Sequence, residues 1–357
     1  MIERFHRERN HSKNTILNYN RSIRYYETLT KHTMEELLKI AETEETQNIH
    51  WRNTQTRQWL LEYREYLYQN YNLSSAQTYL TVILTIYRHF ELTIPTLPYY
   101  STKHLRQSTM INYKDLPDRD LLQECLKISN PLVRSIILFM SSSGVSRIDV
   151  LNLTIGDYLE ATRDYHKHPE SIKYAIQEMQ DKDVIPTFHL TRQKTGQEYY
   201  TFCSHEAVKS INTYLLTRTD KLTKNRPLFK INKRYINQVF EKLNHYFQLG
   251  KQPNNVYNRL TPHMLRKYHA SQLAEAGMPT DHINILQGRK IPGVAHRHYI
   301  RFKPETLREE YIEALPYLVI EEVNKYKTEL QSTKEENITL KDNLRGILAR
   351  IEKLENG

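Results

Sequence analysis

Apolar side chains recur every three or four positions through the first third of the chain, which is the period of an amphipathic helix. The stretch NTILNYNRSIRYYETL (14–29) carries this stripe on four residues: Ile16, Tyr19, Ile23 and Tyr26. The stretch TRQWLLEYREYLYQNY (56–71) repeats the pattern. LSSAQTYLTVILTIYRHFEL (73–92) is apolar along one side and is predicted to begin at a serine cap. Together these stripes predict a compact bundle of about four helices over residues 8–92.

The helical period is lost over residues 93–117, where Pro95, Pro98 and Pro117 interrupt the chain. Such a stretch is typical of a linker. A second domain is predicted over residues 118–318. It opens with the helical stretches DLLQECLKI and PLVRSIILFMSSSGV, of which the second is apolar enough to be buried.

A change of period within this second domain predicts a β-hairpin. Over residues 184–204 two β-rich runs flank a Lys-Thr-Gly turn, with Lys194 at the tip. Helical stretches follow at 204–216, behind a serine cap, and at 231–247. The predicted fold class is therefore mainly α with a small β-hairpin, that is, α+β.

Residues 319–357 show a seven-residue period instead. One series consists of Val323, Leu330, Asn337, Leu344 and Ile351, and a second of Tyr326, Thr333, Leu340, Ile347 and Leu354. This is the a/d seam of a coiled coil, in which a buried asparagine such as Asn337 fixes the register. We expect a C-terminal coiled-coil helix that mediates self-association; the alternative is one amphipathic helix folded back on the preceding domain.

Composition adds constraints on partners and location. The 357 residues carry a formal net charge of +10 and a pI near 9.2, which favours a polyanionic partner. The charged start and the lack of a long apolar run predict a cytoplasmic protein without a membrane span. Cys125 and Cys203 are far apart and have no ligand pattern around them, so neither a disulfide framework nor a zinc site is expected.

The stretch LTPHMLRKYHASQLAEAG (260–277) carries candidate chemistry. Thr261 and Pro262 suit a helix start and Gly277 suits its exit. His263 and Arg266, three positions apart, then share a face near the helix N-terminus and could bind an anion. Alone the pair is weak, because His-x-x-Arg occurs by chance in a chain with 16 histidines and could simply lie on the outside of a helix.

Three further segments hold charged or nucleophilic candidates. INILQGRKIPGVAHRHYIRF (283–302) contains Arg289 and Lys290 ahead of Tyr299, and a tyrosine among cations is a plausible nucleophile. SSSGVSRIDVLNLTIGDY (141–158) carries Arg147 after a serine-glycine turn, and Lys194 stands at the hairpin tip. His296 and His298 lack the further ligands that a metal site would need.

These segments, in this order, resemble the tyrosine recombinases, or phage-type integrases. TPHMLRKYHASQLAEAG is similar to the family's Thr-Pro-His-x-Leu-Arg box, and SGVSRIDVLNLTIGDY to its first arginine box. LQGRK followed by HY looks most like archaeal virus and plasmid integrases, and the helical first third is similar to the family's core-binding domain. The resemblance covers about residues 10–318.

The resemblance implies a catalytic role for each matching residue. Arg147 and Arg266 would bind the non-bridging oxygens of the scissile phosphate, and Arg289 would add a further contact. His263 would act as a hydrogen-bond donor or acid-base partner, and Lys194 would protonate the departing 5′-hydroxyl. The sixth residue, Tyr299, would attack and become linked to the DNA 3′-phosphate.

Two departures from the family pattern leave alternatives open. The usual spacing is Gly-x-Arg, which puts Ser146 where the arginine belongs and Arg147 one residue later. Either the turn accommodates this shift or the arginine is lost; we favour the first. Lys290 is the alternative to Arg289, since spacing from Tyr299 favours the lysine and the position after Gly288 favours the arginine.

The function that follows is a site-specific DNA recombinase that integrates or excises a mobile element through a covalent 3′-phosphotyrosine, with neither metal nor cofactor. The expected partners are double-stranded DNA with specific recombination sites and further copies of the chain, as a dimer or tetramer on DNA. We expect a nucleoid-associated protein in the cytoplasm. The alternatives are a type IB topoisomerase-like strand transferase, a catalytically inactive DNA-binding protein of the same fold, and a basic coiled-coil protein.

Overall fold

The computed structural model describes residues 1–102, 111–253, 257–290 and 303–321. The chain divides into two compact units, Met1–Thr109 and Met110–Gly357.

The first unit is a helical bundle. Its helices are α1 (Ile2–Glu8), α2 (Lys13–Thr30), α3 (Met34–Thr46), α4 (Gln55–Asn70) and α5 (Leu73–His89), with a short 3₁₀ helix at Trp51–Asn53. Side chains cap four of these helices: Ser12, Thr33, Thr54 and Asn72. The predicted serine cap of α5 is wrong. Asn72 caps this helix by accepting a hydrogen bond from the Ser75 amide (2.9 Å), because asparagine is as good a cap as serine and stands two positions before Ser74.

Tyrosines fill much of the core of this bundle. Tyr26, Tyr63 and Tyr87 are all fully buried, and the helices that carry them pack on one another. The Tyr26 and Tyr87 hydroxyls lie 3.3 Å apart, and the Tyr63 hydroxyl donates to the Ser22 carbonyl (3.1 Å). The core therefore buries large rings without stranding the hydroxyls at their ends.

The second unit holds ten helices and one hairpin among the residues described. The helices are α6 (Arg119–Ile128), α7 (Pro131–Ser143), α8 (Arg147–Asn152), α9 (Ile155–Ala161), α10 (Ile172–Met179), α11 (His205–Thr217), α12 (Lys233–Tyr246), α13 (Pro262–Glu275), α14 (Thr280–Leu286) and α15 (Pro304–Leu318). Short 3₁₀ helices lie at Tyr113–Asp115 and Arg163–Tyr165.

Helix α7 is the centre of this unit. It packs against α11, α13 and the hairpin, and almost all of its residues from Val133 onward are buried. This confirms the interpretation of PLVRSIILFMSSSGV as a buried segment. Because α7 ends at a left-handed Gly144, the chain turns sharply there and brings α8 beside the loop of the hairpin.

The hairpin pairs β1 (Thr187–Thr191) with β2 (Glu198–Phe202) in antiparallel register, from Thr187 opposite Phe202 to Thr191 opposite Glu198. Its loop closes when the Arg192 amide donates to the Gln197 carbonyl (2.8 Å), and Gly196 supplies the positive φ of the turn. The predicted fold class, mainly α with a small hairpin, is confirmed.

The structure describes the cysteines and the helices of the predicted domains, but not the predicted coiled coil. Both cysteines are buried and free, and none of the described helices is long and apolar enough to cross a membrane. The described residues include no group of three or more histidines, cysteines or carboxylates that could hold a metal ion. The predicted heptad positions, 323–354, lie outside the described residues.

Candidate functional site

The candidate site is built around Arg266, on the second turn of α13. The side chain is only 4% exposed, although nothing in the described part of the chain forms a salt bridge with it. Its Nη1 donates to the Gly144 carbonyl (2.6 Å) and its Nη2 to the Gln287 carbonyl. Arg266 therefore links the turn after α7 to the end of α14.

Burial and neighbouring positive charges destabilise the charged form of this guanidinium. Desolvation lowers the pKa of Arg266 to about 10, helped by the positive charges of Arg289 and Arg192 and opposed by Tyr199 and Asp149. At neutral pH the group still carries its charge, without the solvation that usually stabilises it. Binding of an anion would stabilise this charge.

A buried hydrogen-bond network joins the Arg266 backbone to Gln287 and His269. The Gln287 side-chain Nε2 donates to the Arg266 carbonyl (2.9 Å) and contacts His269 Nδ1 (3.0 Å). His269 Nδ1 therefore accepts and the ring proton lies on Nε2. Both His269 Nε2 and Gln287 Oε1 are buried without a partner among the described residues.

Gly144 is required where this network meets α7. Its φ is +63°, and a Cβ there would lie 2.5 Å from His269 Nδ1 and 2.9 Å from Gln287 Nε2. Only glycine allows both the left-handed turn and the close approach of the buried pair.

Arg147 begins α8, directly after the cap residue Ser146. Its Nη1 donates to the side-chain oxygen of Asn237 (2.6 Å), and its charge is one of those that lower the pKa of His263. Meanwhile Ser146, at the position where the family pattern puts arginine, hydrogen-bonds the Asp149 carboxylate (2.6 Å). The shifted arginine thus stays near the site, on the side of His263.

Arg289 and Lys290 differ in their surroundings. Arg289 is half-buried, and desolvation together with the charge of Arg192 lowers its pKa, whereas Lys290 is exposed. A left-handed Gly288 precedes them and packs on the Tyr199 ring so closely that a Cβ would lie 2.7 Å from it. Between the two predicted alternatives, this geometry favours Arg289.

His263 lies at the mouth of the cluster. Partial desolvation lowers its pKa, and so do the charges of Lys267, Arg266, Arg289 and Arg147, in that order. The imidazole is therefore kept neutral near pH 7, able to donate or accept one hydrogen bond.

Of the two remaining predicted residues, the structure describes Lys194 but not Tyr299. Lys194 is exposed in the hairpin loop, and the neighbouring Gln193 amide donates to the Asp149 carboxylate (3.0 Å), which ties that loop to α8. Tyr299 lies outside the described residues, as do His296 and His298.

Sequence reasoning missed four residues of this site: Arg192, Asp149, His269 and Gln287. One pattern could have indicated His269, because it continues the three-residue spacing of His263 and Arg266 along one helix face. Arg192 stands two positions before Lys194, where the prediction of a turn drew attention to the lysine alone.

Three of the predicted arginines therefore lie close enough to lower the pKa of the predicted His263: Arg147, Arg266 and Arg289. Arg192 and Lys267 add further positive charge, and the Asp149 carboxylate raises the pKa of Arg266. Two Asp149 oxygens are already bound by Ser146 and Gln193. An arrangement of this kind binds anions with delocalised charge, such as a phosphodiester.

Comparison with known proteins gives one family match and several structural neighbours. The model of the phage integrase family matches residues 119–305, just over half of the chain. A search of curated protein sequences finds no match.

Among solved structures, the chain is similar to the XerA recombinase, at 18% identity and a TM-score of 0.34, with 87% of this chain and 94% of that chain covered. It is similar to the XerH site-specific recombinase bound to difH substrate (13% identity, TM-score 0.44, 71% and 69% covered). It is also similar to the Tn1549 transposon integrase in complex with transposon right end DNA (13% identity, TM-score 0.46, 86% and 96% covered).

Proposed function

This chain belongs to the phage integrase family of tyrosine recombinases, and from that premise we propose that it cleaves and rejoins DNA at specific sites through a covalent 3′-phosphotyrosine. The observation that carries this proposal is the buried Arg266, held by two carbonyls and surrounded by further cations. A buried cation without a carboxylate partner is costly unless a ligand supplies the opposite charge.

In this proposal the scissile phosphate lies against the guanidinium groups. Arg266 and Arg147 bind its non-bridging oxygens, and Arg289 adds a third contact, with Lys290 as the alternative. Negative charge builds on these oxygens as the phosphorus becomes five-coordinate, so fixed cations stabilise the transition state more than the ground state.

Two proton transfers accompany the exchange of bonds. The Tyr299 oxygen forms a bond to phosphorus while the bond from phosphorus to the 5′-oxygen breaks. The phenol proton leaves to a base, for which the neutral His263 is suited, and Lys194 gives a proton to the departing 5′-oxygen. Rejoining is the reverse reaction, with a 5′-hydroxyl attacking the phosphotyrosine.

The proposal requires neither a metal ion nor ATP. Side chains supply the positive charge at the phosphate, and the phosphotyrosine conserves the energy of the phosphodiester bond.

We extend the proposal to partners and biological context. Double-stranded DNA with specific sites suits the net charge of +10, and assembly of several copies suits the heptad series that starts at Val323. Integration or excision of a mobile element, with an archaeal virus or plasmid origin, rests on the sequence resemblance alone, as does location at the nucleoid.

One observation favours a second candidate, a DNA-binding protein of this fold that does not cleave. Arg147 is engaged by Asn237, and Ser146 occupies the position where the family pattern puts arginine. If the phosphate had Arg266 and Arg289 alone, binding would persist while cleavage was lost.

Covalent trapping tests the proposal. Purified protein is mixed, in EDTA, with supercoiled DNA from its own genomic neighbourhood and with random-sequence duplexes, and is then quenched with detergent. Tyr299→Phe is the test variant, and Tyr246→Phe, at a side chain 65% exposed on α12, is the matched control. We expect an adduct with the wild type and the control but not with Tyr299→Phe. DNA binding with no adduct from the wild type would support the non-cleaving candidate.

A further inference from the structure

Arg192 is a half-buried cation in the hairpin loop, two positions before Lys194. It follows β1 directly, and its backbone closes the hairpin loop. Its side chain turns back toward α14, where Nη1 donates to the Gly288 carbonyl (2.9 Å). The loop thereby places a guanidinium at the same turn that Arg266 contacts.

The two guanidinium groups are bound to consecutive carbonyls. Arg266 donates to Gln287 and Arg192 to Gly288, and consecutive Cα atoms are only about 3.8 Å apart. Arg289 follows in the chain. Three arginines from three separate segments thus meet at one turn, and the charge of Arg192 lowers the pKa of both Arg266 and Arg289.

Arg192 also keeps an unused donor. Its Nε is buried and has no hydrogen-bond partner among the described residues. An unsatisfied buried donor costs about 1–3 kcal/mol. The nearby Asp149 carboxylate accepts from Ser146 and Gln193 but not from Arg192 Nε. A bound phosphate would offset both the missing hydrogen bond and the repulsion between the arginines.

Arg147 contrasts with Arg192 in this respect. Its Nη1 is already bound to Asn237, and among the groups with shifted pKa values its charge acts on His263. Ser146 meanwhile presents a hydroxyl to Asp149. The side of the site nearest Arg266 and Arg289 therefore receives its extra cation from the hairpin.

We propose that Arg192 is a further phosphate-binding catalytic residue, which contacts the scissile phosphate together with Arg266 and Arg289. This inference rests on the proposed function, because it names one more residue of the same site. The competing explanation is structural: Arg192 would merely hold the turn at Gly288 in place.

The first experiment does not depend on cleavage. In a Tyr299→Phe background, duplex affinity is measured against salt concentration for Arg192, Arg192→Gln, Arg192→Lys and the control Arg163→Gln, whose side chain is 68% exposed. Loss of one cation that neutralises DNA charge lowers the slope of log affinity against log salt, by up to about 0.9. We expect that decrease for Arg192→Gln and not for Arg192→Lys or Arg163→Gln.

The second experiment removes the charge from the DNA instead. On mapped cleavage-site DNA, we expect Arg192→Gln to form adduct about 10²- to 10³-fold more slowly than the wild type. With a neutral methylphosphonate at the scissile position, the two rates should agree within about threefold, as they should for Arg266→Gln. Arg192→Gln and the wild type should melt at similar temperatures.

The outcomes separate the inference from the function on which it rests. Equal losses by Arg192→Gln on phosphate and methylphosphonate DNA would overturn the inference in favour of the structural explanation. If the wild type forms no adduct, the proposed function has failed. The salt slope of Arg192→Gln then tests the phosphate contact by itself. An unchanged slope would overturn that contact, and a decrease of up to about 0.9 would support it.

Discussion

The two compact units differ in how they hold buried charged side chains. In the helical bundle, the buried Glu44 carboxylate accepts from the amides of Gln55 and Thr56 at the start of α4, and the buried tyrosine hydroxyls pair with one another or with a carbonyl. Two other side-chain atoms of the bundle, Thr56 Oγ1 and Arg64 Nε, have no partner among the described residues. In the second unit, Arg266 is buried among other cations, and His269 and Gln287 each keep an unpartnered atom within the described residues. Satisfied groups stabilise a fold, whereas unsatisfied ones at a cleft indicate a ligand.

The free-energy cost of keeping Arg266 charged is large. A pKa lowered from 12.5 to about 10 means that the charged form of Arg266 is disfavoured by about 3 kcal/mol relative to water. That is a large fraction of the stability of a typical domain. A phosphate anion at the site would recover this free energy, so the arrangement favours DNA binding at the expense of the free protein.

The largest expected effect is at Arg266. Arg266→Gln should slow adduct formation by about 10³-fold or more, because it removes the central charge from the phosphate site. Inorganic phosphate should raise the melting temperature of the wild type but not of the variant, since only the wild type binds the anion. A variant that cleaves within about tenfold of the wild type would contradict the assignment.

Gly144→Ala should be the most destabilising of the stability changes. The new Cβ would lie 2.5 Å from His269 Nδ1 at a φ of +63°, so we expect a loss of about 3 kcal/mol in the free energy of unfolding. Gly196→Ala is the matched control, because its φ is +66° and nothing lies within 4 Å of its Cβ position. That control should lose about 1–2 kcal/mol. Equal losses in denaturant titrations would show that the buried contact is not tight.

The buried His269 should make stability depend on pH. Desolvation and two arginine charges lower its folded pKa to about 3, below the value of about 6.5 expected when unfolded. Between these values the unfolded state binds the extra proton. The contribution of His269 is therefore fully present above pH 6.5 and is lost as pH falls, at up to about 1.4 kcal/mol per pH unit.

Denaturant titrations from pH 7 to pH 5 measure this effect. The wild type should lose about 2 kcal/mol more than His269→Gln over that range, since the variant cannot take up the proton. Parallel curves for the two proteins would mean that His269 is not neutral and buried as described.

The smallest expected effect lies in the bundle. Glu44→Gln weakens the hydrogen bonds to two amides at the start of α4 and should cost about 1 kcal/mol. At saturating protein, the rate of adduct formation should stay within twofold of the wild-type rate. Among the described residues, the Glu44 carboxylate hydrogen-bonds only backbone amides at the start of α4. A loss of cleavage as large as that of Arg266→Gln would erase the distinction between the two units.

Most of the longer helices and the hairpin were predictable because their periods are local properties of the sequence, whereas short helices such as α8 and α10 were not predicted. The stripe at 14–29 became α2, and the Lys-Thr-Gly turn became the loop between β1 and β2. The start of α5 was misassigned because Asn72 and Ser74 compete as caps at almost the same position.

The site was predictable only as far as motifs reach. His263, Arg266 and Arg289 stand in recognisable patterns, but the contact of Arg192 with Gly288 joins positions 96 residues apart. The pairing of His269 with Gln287 depends in the same way on how α13 and α14 pack. The three-residue spacing could have indicated His269, but no local pattern pairs it with Gln287.

The ends of the cut DNA test the central claim most directly. After trapping in EDTA, the cleaved strand is incubated with polynucleotide kinase without phosphatase treatment, which labels only a free 5′-hydroxyl. The protein is then digested to identify the peptide that carries nucleotide. A 5′ end that is labelled at once, together with nucleotide on Tyr299, is the result expected of a phosphate held by arginines and attacked by tyrosine. A 5′-phosphate, or nucleotide on another residue, would contradict it.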